Sequence, residues 1–148
     1  MKTEHKCDLI FALNHVRIPD DVKMAKENKS PDVVDIIFGG HDHTYFRDLN
    51  EDTGVYIIKS GSDFEDFSNL IVLFGVTPEG HQEYCASIAE KLKGLPDYDN
   101  NLLQIKYDKT QQRMYVSERV RITIKFAPDF EMAKHVYQYA AEIKKKLV

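Results

Sequence analysis

Apolar and polar positions along the chain fall into short blocks that predict a mixed α/β fold. The apolar runs DLIFALNH at residues 8–15 and VVDIIF at residues 33–38 each predict a buried strand. The stretch between them predicts a helix, because Pro19 suits a first helical turn and Asp20 and Asp21 suit its positive end. Strand, helix and strand within about thirty residues form a βαβ unit, so we expect the two strands to be parallel.

After residue 44 the pattern changes to strands that follow one another. TYFRDLN at 44–50, GVYIIKSG at 54–61 and SNLIVLFGVT at 68–77 predict three strands, the last of them ended by PEG at 78–80. Residues 81–101 predict at most one short helix before a polar loop. Residues 102–126 predict two further strands around the turn DKTQQ.

The C-terminal segment predicts a long amphipathic helix. Its apolar residues recur at three- and four-residue steps: Phe130, Ala133, Val136, Tyr137, Ala140, Ile143 and Leu147. Acidic residues stand at its start and lysines at its end. We therefore divide the chain into residues 1–127 and a helix at 128–148 that packs on this unit or leads out of it.

Composition narrows the class of protein. The 148 residues, 43% of them hydrophobic and 30% charged, are typical of one soluble globular domain. A net charge of −4 argues against nucleic acid, and no apolar run reaches the ~20 residues of a membrane span. Cys7 and Cys85 predict buried, reduced thiols in a cytoplasmic protein. A secreted or surface parent stays open if an N-terminal part is missing.

Histidines follow both strands of the predicted βαβ unit. His15 closes the first strand, and His41 and His43 follow the second one directly after two glycines. Neighbouring parallel strands lie about 5 Å apart and present their carboxyl ends at one edge, so we expect the three imidazoles to converge. Converging neutral imidazoles bind zinc, manganese, iron or a similar ion.

Two other interpretations remain open. A histidine is more often a surface or hydrogen-bonded residue than a ligand, as we expect for His5, His81 and His135. In that case the chain is a non-enzymatic α+β binding or oligomerisation module. An enzyme of another type that uses His15 as a base is disfavoured, because no activated serine or cysteine stands beside it.

Four segments carry a resemblance to a known family. ALNHVRIPDDVKMAKE and PDVVDIIFGGHDHTYF resemble the 5′-nucleotidase branch of the calcineurin-like metallophosphoesterases. YIIKSGSDF is similar to a strand and loop of that family. Residues 126–147 are similar to the helix that leads out of the family's catalytic domain. The resemblance implies part of a four-layer double β-sandwich flanked by helices, with two divalent metal ions at the carboxyl ends of central strands.

The resemblance also implies roles for individual residues. His15 and His41 match the histidine ligands of the second metal ion, and His43 matches a ligand of the first. Gly39, Gly40 and Asp42 match the motif but are not ligands in the family. Asn14 stands where the family usually has threonine.

The early motifs of the family are missing from the sequence. Asp-x-His, Gly-Asp-x-x-Asp and Gly-Asn-His, which supply the bridging carboxylate among other ligands, do not occur. We therefore expect the C-terminal half of a metallophosphatase domain, a fragment whose full-length parent acts on a nucleotide or another phosphate ester. The fragment is expected to bind metal weakly, to hydrolyse esters poorly or not at all, and to self-associate through an exposed sheet edge.

Overall fold

Two β-sheets and three helices make up the described part of the protein, which is therefore a mixed α+β fold, as the sequence predicts. The structure is a computed structural model, and it describes residues 2–29, 34–63, 65–93, 95, 99, 101–122, 131 and 134–135. No helix in these ranges is long and apolar enough to cross a membrane.

The first sheet contains the predicted βαβ unit. Strand β1 (Phe11–Asn14) is joined through helix α2 (Ile18–Glu27) to strand β2 (Ile36–Gly39), and the two strands are parallel. Strand β4 (Tyr56–Ser60) continues the sheet parallel to β2, and β3 (Tyr45–Leu49) closes it antiparallel to β4. The strand order is β1-β2-β4-β3, so β1 is one edge of this sheet.

The second sheet is antiparallel throughout. Strand β7 (Arg113–Arg121) lies between β5 (Asp66–Phe74) and β6 (Leu103–Asp108). Helix α3 (Pro78–Lys93) connects β5 to β6, and a single turn, α1 (Lys2–His5), precedes the first sheet. The tight turn between β6 and β7 is the one that the sequence predicts.

The main core lies between the two sheets. Tyr56 of the first sheet stacks on Tyr115 of the second at 4.8 Å between ring centres, and the Tyr56 hydroxyl is 2.7 Å from that of Ser117. The buried apolar residues of this core are Ile36, Leu49, Tyr56, Ile58 and Tyr115. Pairing of the phenol with a buried hydroxyl lets an aromatic ring fill the core without an unsatisfied polar atom.

A second core lies on the opposite face of the first sheet, against α2. Its buried members are Ala25, Ile37, Val55 and Ile57. Because one face meets the second sheet and the other meets α2, the central strands are buried on both sides, as parallel strands usually are. This double burial explains why β2 and β4 appear in the sequence as continuous apolar runs.

The sequence prediction around α3 is wrong in two respects. The segment 78–80 begins a 16-residue helix instead of simply ending a strand, and that helix is not short. Pro78 occupies the first turn, where its missing N–H costs nothing, and the Thr77 hydroxyl accepts a hydrogen bond from the N–H of Gly80 at 3.1 Å. The helix has no fully buried residue, so its apolar periodicity is too weak to reveal it.

The expected burial of the thiols is also wrong. Cys7 is exposed in the loop after α1, and Cys85 is only partly covered, while both remain free thiols. The predicted helix at residues 128–148 lies almost entirely outside the described residues.

Candidate metal site at the carboxyl ends of β1 and β2

The parallel pairing of β1 and β2 places two of the three predicted histidines side by side. Asn14 pairs with Gly39 at the last position of the ladder, and the N–H of Gly40 still bonds the carbonyl of Asn14 at 2.9 Å. His15 follows Asn14 directly and His41 follows Gly40, so both histidines come within two residues of the end of the ladder, at the same edge of the sheet. Their ring centres are 5.5 Å apart, and the ring planes are inclined by 61°.

The two glycines before His41 make room for this arrangement. A Cβ atom on Gly40 would lie 2.9 Å from Nδ1 of His15, so any side chain there would displace the imidazole. A Cβ atom on Gly39 would lie 2.7 Å from Oδ2 of Asp21 and 2.8 Å from Cε of Lys59. Each glycine thus permits a different close approach, one to a histidine and one to a buried ion pair.

The histidine loop, residues 40–43, has an unusual backbone. His41 and His43 have φ angles of 79° and 54°, in the left-handed region that residues with a Cβ rarely adopt. The N–H of Asp42 bonds the carbonyl of Gly40 at 3.1 Å, which tightens the turn. Strain of this kind persists only where the surrounding structure enforces it, and it concentrates at functional sites.

A single buried ammonium group lies under the histidine loop. Lys59 of β4 is 2% exposed, and its Nζ donates hydrogen bonds to the carbonyls of Val16 and Gly40, each at 2.7 Å. It donates a third hydrogen bond to Oδ2 of Asp42 at 2.8 Å. It also lies 2.9 Å from Oδ2 of Asp21, an ion pair whose direction is not that of a hydrogen bond.

Asp21 connects this ammonium to helix α2 and to the end of β1. Its side chain is completely buried, and its Oδ1 accepts a hydrogen bond from Nδ2 of Asn14 at 2.9 Å. The same Asn14 amide approaches the sulfur of Met24 at 3.2 Å. Asn14, the residue before His15, is thus held to helix α2 by its side chain.

These contacts shift the ionisation of two groups. The hydrogen bond from Lys59 holds the pKa of Asp42 below its usual value. Burial opposes the charge of Lys59, but Asp42 and Asp21 outweigh that effect and raise the pKa of its ammonium. The ammonium and the carboxylate of Asp42 are therefore both charged at neutral pH and serve each other as partners.

The arrangement suits two ligands of a metal ion. With metal–nitrogen bonds of about 2.0–2.1 Å, two imidazoles on one tetrahedral ion have ring centres roughly 5–6 Å apart, and His15 and His41 meet that condition. Within the described ranges, however, no group of three or more His, Cys, Asp or Glu side chains can hold a metal ion. His43 thus does not complete a three-histidine site in this conformation.

Sequence reasoning missed the two residues that support the site. The residue pattern indicates no chemistry for Lys59, and it places Asp21 only at the positive end of a helix. The one available signal is a lysine that directly follows the apolar run Tyr56–Ile58 in a predicted strand. A lysine is almost never fully buried unless it is paired, so a buried Lys59 requires an acidic partner.

His81, one of the three histidines expected to be surface or hydrogen-bonded residues, has ordinary packing partners. His81 stacks on Tyr107 at 4.8 Å between ring centres, and its Nε2 is 3.3 Å from the sulfur of Cys85. This agrees with its interpretation as a surface or hydrogen-bonded residue.

No family model, no curated protein and no solved structure matches this chain. The interpretation of the site therefore depends on its own geometry and on the motif resemblance.

Proposed function

We propose that His15 and His41 together bind one divalent metal ion in a phosphoesterase site of the metallophosphoesterase type. The observation that carries the proposal is the 5.5 Å separation of their ring centres at the carboxyl ends of adjacent parallel strands. Ligand sites of α/β sheets are found at this end of the strands. Both imidazoles are exposed, so a metal ion and a phosphate ester have access to them.

The residues of the proposed site have different roles. The two imidazoles supply neutral nitrogen ligands, and the strained loop directs the ring of His41 towards that of His15. Asp42 is engaged by Lys59 and supports the loop without acting as a ligand. A bound divalent ion would act as a Lewis acid on a phosphoryl oxygen of the substrate.

The wider architecture supports the proposal of a flanked double β-sandwich. Helix α2 covers the outer face of the first sheet, the two sheets share a core, and α3 contacts the second sheet through His81 and Tyr107. We propose that this is part of the four-layer fold of the 5′-nucleotidase branch. The substrates would then be phosphate monoesters of nucleotides or related esters.

We expect weak metal binding and little hydrolysis by the 148 residues alone. Two nitrogen ligands give modest affinity, and the motif that supplies the family's bridging carboxylate does not occur in the sequence. A second ion therefore lacks the ligand that would hold it next to the first.

Calorimetric titration with Zn²⁺ or Mn²⁺ tests the proposal. The unmodified chain is expected to bind about one ion per molecule, and His15→Ala and His41→Ala are each expected to abolish most of the heat. His5→Ala is the matched control, because His5 is exposed and lies on α1. Absence of binding to the unmodified chain would contradict the proposal. Robust Mn²⁺-stimulated phosphate release that is lost in His41→Ala would contradict the expected low activity.

The second candidate is a non-enzymatic α+β binding or oligomerisation module. It is favoured by the lack of a three-ligand group in the described ranges and by the exposed apolar edge at β1, where Leu13 is 84% exposed. It predicts a metal-free protein whose properties are unchanged by His41→Ala.

A further inference from the structure

We propose that Lys59 is the positioning residue that sets the distance between the imidazoles of His15 and His41. The inference rests on the proposed metal site and names the group that holds its two ligands in place. It gives a role to a residue that contacts neither a metal ion nor a substrate.

The four partners of Lys59 are distributed over both histidine-bearing segments. The carbonyl of Val16 belongs to the residue directly after His15, while the carbonyl of Gly40 and the carboxylate of Asp42 flank His41 on both sides. One ammonium group therefore joins the segment after β1 to the segment after β2.

The fourth partner fixes the ammonium itself. Asp21 of α2 is completely buried beside Nζ, and the stem of Lys59 lies so close to Gly39 that a Cβ atom added there would be 2.8 Å from Cε. Contacts at both the stem and the ammonium of Lys59 leave this side chain little conformational freedom. The position of the loop is therefore fixed relative to strand β4. Such supporting contacts typically change metal affinity by about 10–100-fold when they are removed.

The contacts also account for the backbone strain of the loop. His41 lies in the left-handed region between two residues whose oxygens are held by Lys59. The Lys59 ammonium adds to the backbone hydrogen bond between Asp42 and Gly40 in holding that conformation, so its removal takes away part of what offsets the cost of the strain. The loop would then relax, and the ring of His41 would move away from His15.

The first experiment replaces Lys59 and measures ring proximity without any metal. In the unmodified chain, NMR cross-peaks between the ring protons of His15 and His41 are expected, given ring centres 5.5 Å apart. Lys59→Met should lose these cross-peaks and bind Zn²⁺ about 10–100-fold more weakly. Lys106→Met is the matched control, because Lys106 is also a strand lysine but lies in the second sheet, where it forms a partly exposed ion pair with Asp48. It should change neither quantity.

A rescue experiment separates positioning from general damage. In a background of Cys7→Ser and Cys85→Ser, the Lys59→Cys variant is alkylated in urea with 2-bromoethylamine and refolded. This places an ammonium at the original distance from the backbone. Recovery of both the ring cross-peaks and the Zn²⁺ affinity would support the proposal. A folded, alkylated protein in which neither recovers would overturn it.

If the Lys59 variants do not fold, Asp42→Ala tests the positioning role of Lys59 instead. Asp42 is partly exposed, and its removal leaves Asp21 as the counter-ion of Lys59. The expected result is a smaller loss of the same cross-peaks and of affinity, with the amide spectrum of β6 and β7 unchanged. Intact cross-peaks and unchanged affinity would overturn the role of Lys59. An unmodified chain that binds no Zn²⁺ would instead overturn the proposed function, while the metal-free cross-peaks would still test Lys59.

Discussion

Nζ of Lys59 lies 2.9 Å from Oδ2 of Asp21, and both side chains are buried, with exposures of 2% and 0%. The pair joins strand β4 to helix α2 directly beneath the loop that carries His41. Taking two charges out of water is costly, and the mutual attraction and the further hydrogen bonds of Lys59 compensate for that cost. The stability of the fold and the geometry of the candidate site therefore depend on the same pair.

Asp21→Ala tests the contribution of this pair to stability. The substitution leaves a buried ammonium with only Asp42 as counter-ion, and loss of one partner of a buried pair typically costs about 3–5 kcal/mol. We expect a decrease of that order in the free energy of unfolding measured in urea. Glu90→Ala is the control, because Glu90 and Lys93 form an exposed pair in α3 that should contribute about 0–1 kcal/mol. Equal, small effects of both variants would contradict the expectation.

The lowered pKa of Asp35 predicts how the stability of the fold changes in acid. Burial opposes its ionisation, but Lys2 and Arg113 outweigh burial and hold the pKa of this carboxyl below its ordinary value of 3.8. A group with a lowered folded-state pKa stabilises the protein fully above its unfolded-state pKa. That stabilisation is lost as the pH falls through the folded-state pKa.

The corresponding variant is Asp35→Asn. It should be less stable than the unmodified chain at neutral pH, and the two should converge as the pH falls below 3.8, because the unmodified carboxyl then becomes protonated. Urea unfolding at several pH values measures this. Asp52→Asn, at an exposed turn position, should follow the unmodified chain throughout. A constant difference between Asp35→Asn and the unmodified chain at all pH values would refute the argument.

Gly40→Ala tests the close approach of the loop to His15. The added Cβ would lie 2.9 Å from Nδ1 of that histidine, so the ring must move, and we expect Zn²⁺ affinity to fall at least several-fold. Gly80→Ala in α3 is the control, because its Cβ would meet nothing closer than 3.4 Å and alanine favours a helix. Its stability should be equal or slightly higher. Unchanged affinity in Gly40→Ala, measured by calorimetry, would contradict the geometry described for the site.

We expect the chain to self-associate through the exposed edge strand β1. Its residues Phe11 and Leu13 are 53% and 84% exposed, and the strand carries no charged side chain to discourage pairing with a second copy. Leu13→Lys should therefore lower the average mass seen by light scattering at high concentration. Leu95→Lys is the control, because Leu95 is an exposed apolar residue that lies outside both sheets. A monomeric unmodified chain would contradict this prediction.

Most of the fold was predictable because local patterns and tertiary structure agree. The apolar runs before His15 and His41, the proline at the start of α2 and the turn between β6 and β7 all lie where the sequence predicts them. Helix α3 was predicted only as a short helix within residues 81–101, because a helix without fully buried residues has little apolar periodicity to show its full length.

The candidate site was predictable only in part. The approach of His15 to His41 followed from the expectation that parallel strands end at the same edge. The role of Lys59 and Asp21 was not predictable, since they are 38 residues apart in sequence and meet only because α2 packs on β4. The left-handed backbone of His43 also has no signature in the residue pattern.

The measurement that tests the central claim most directly is a Zn²⁺ titration followed through the histidine ring resonances of the unmodified chain. If one ion binds between His15 and His41, the signals of both rings should shift with a common midpoint, while those of His5 and His81 remain unchanged. Independent midpoints for the two rings, or no shift of either at millimolar Zn²⁺, would contradict the account.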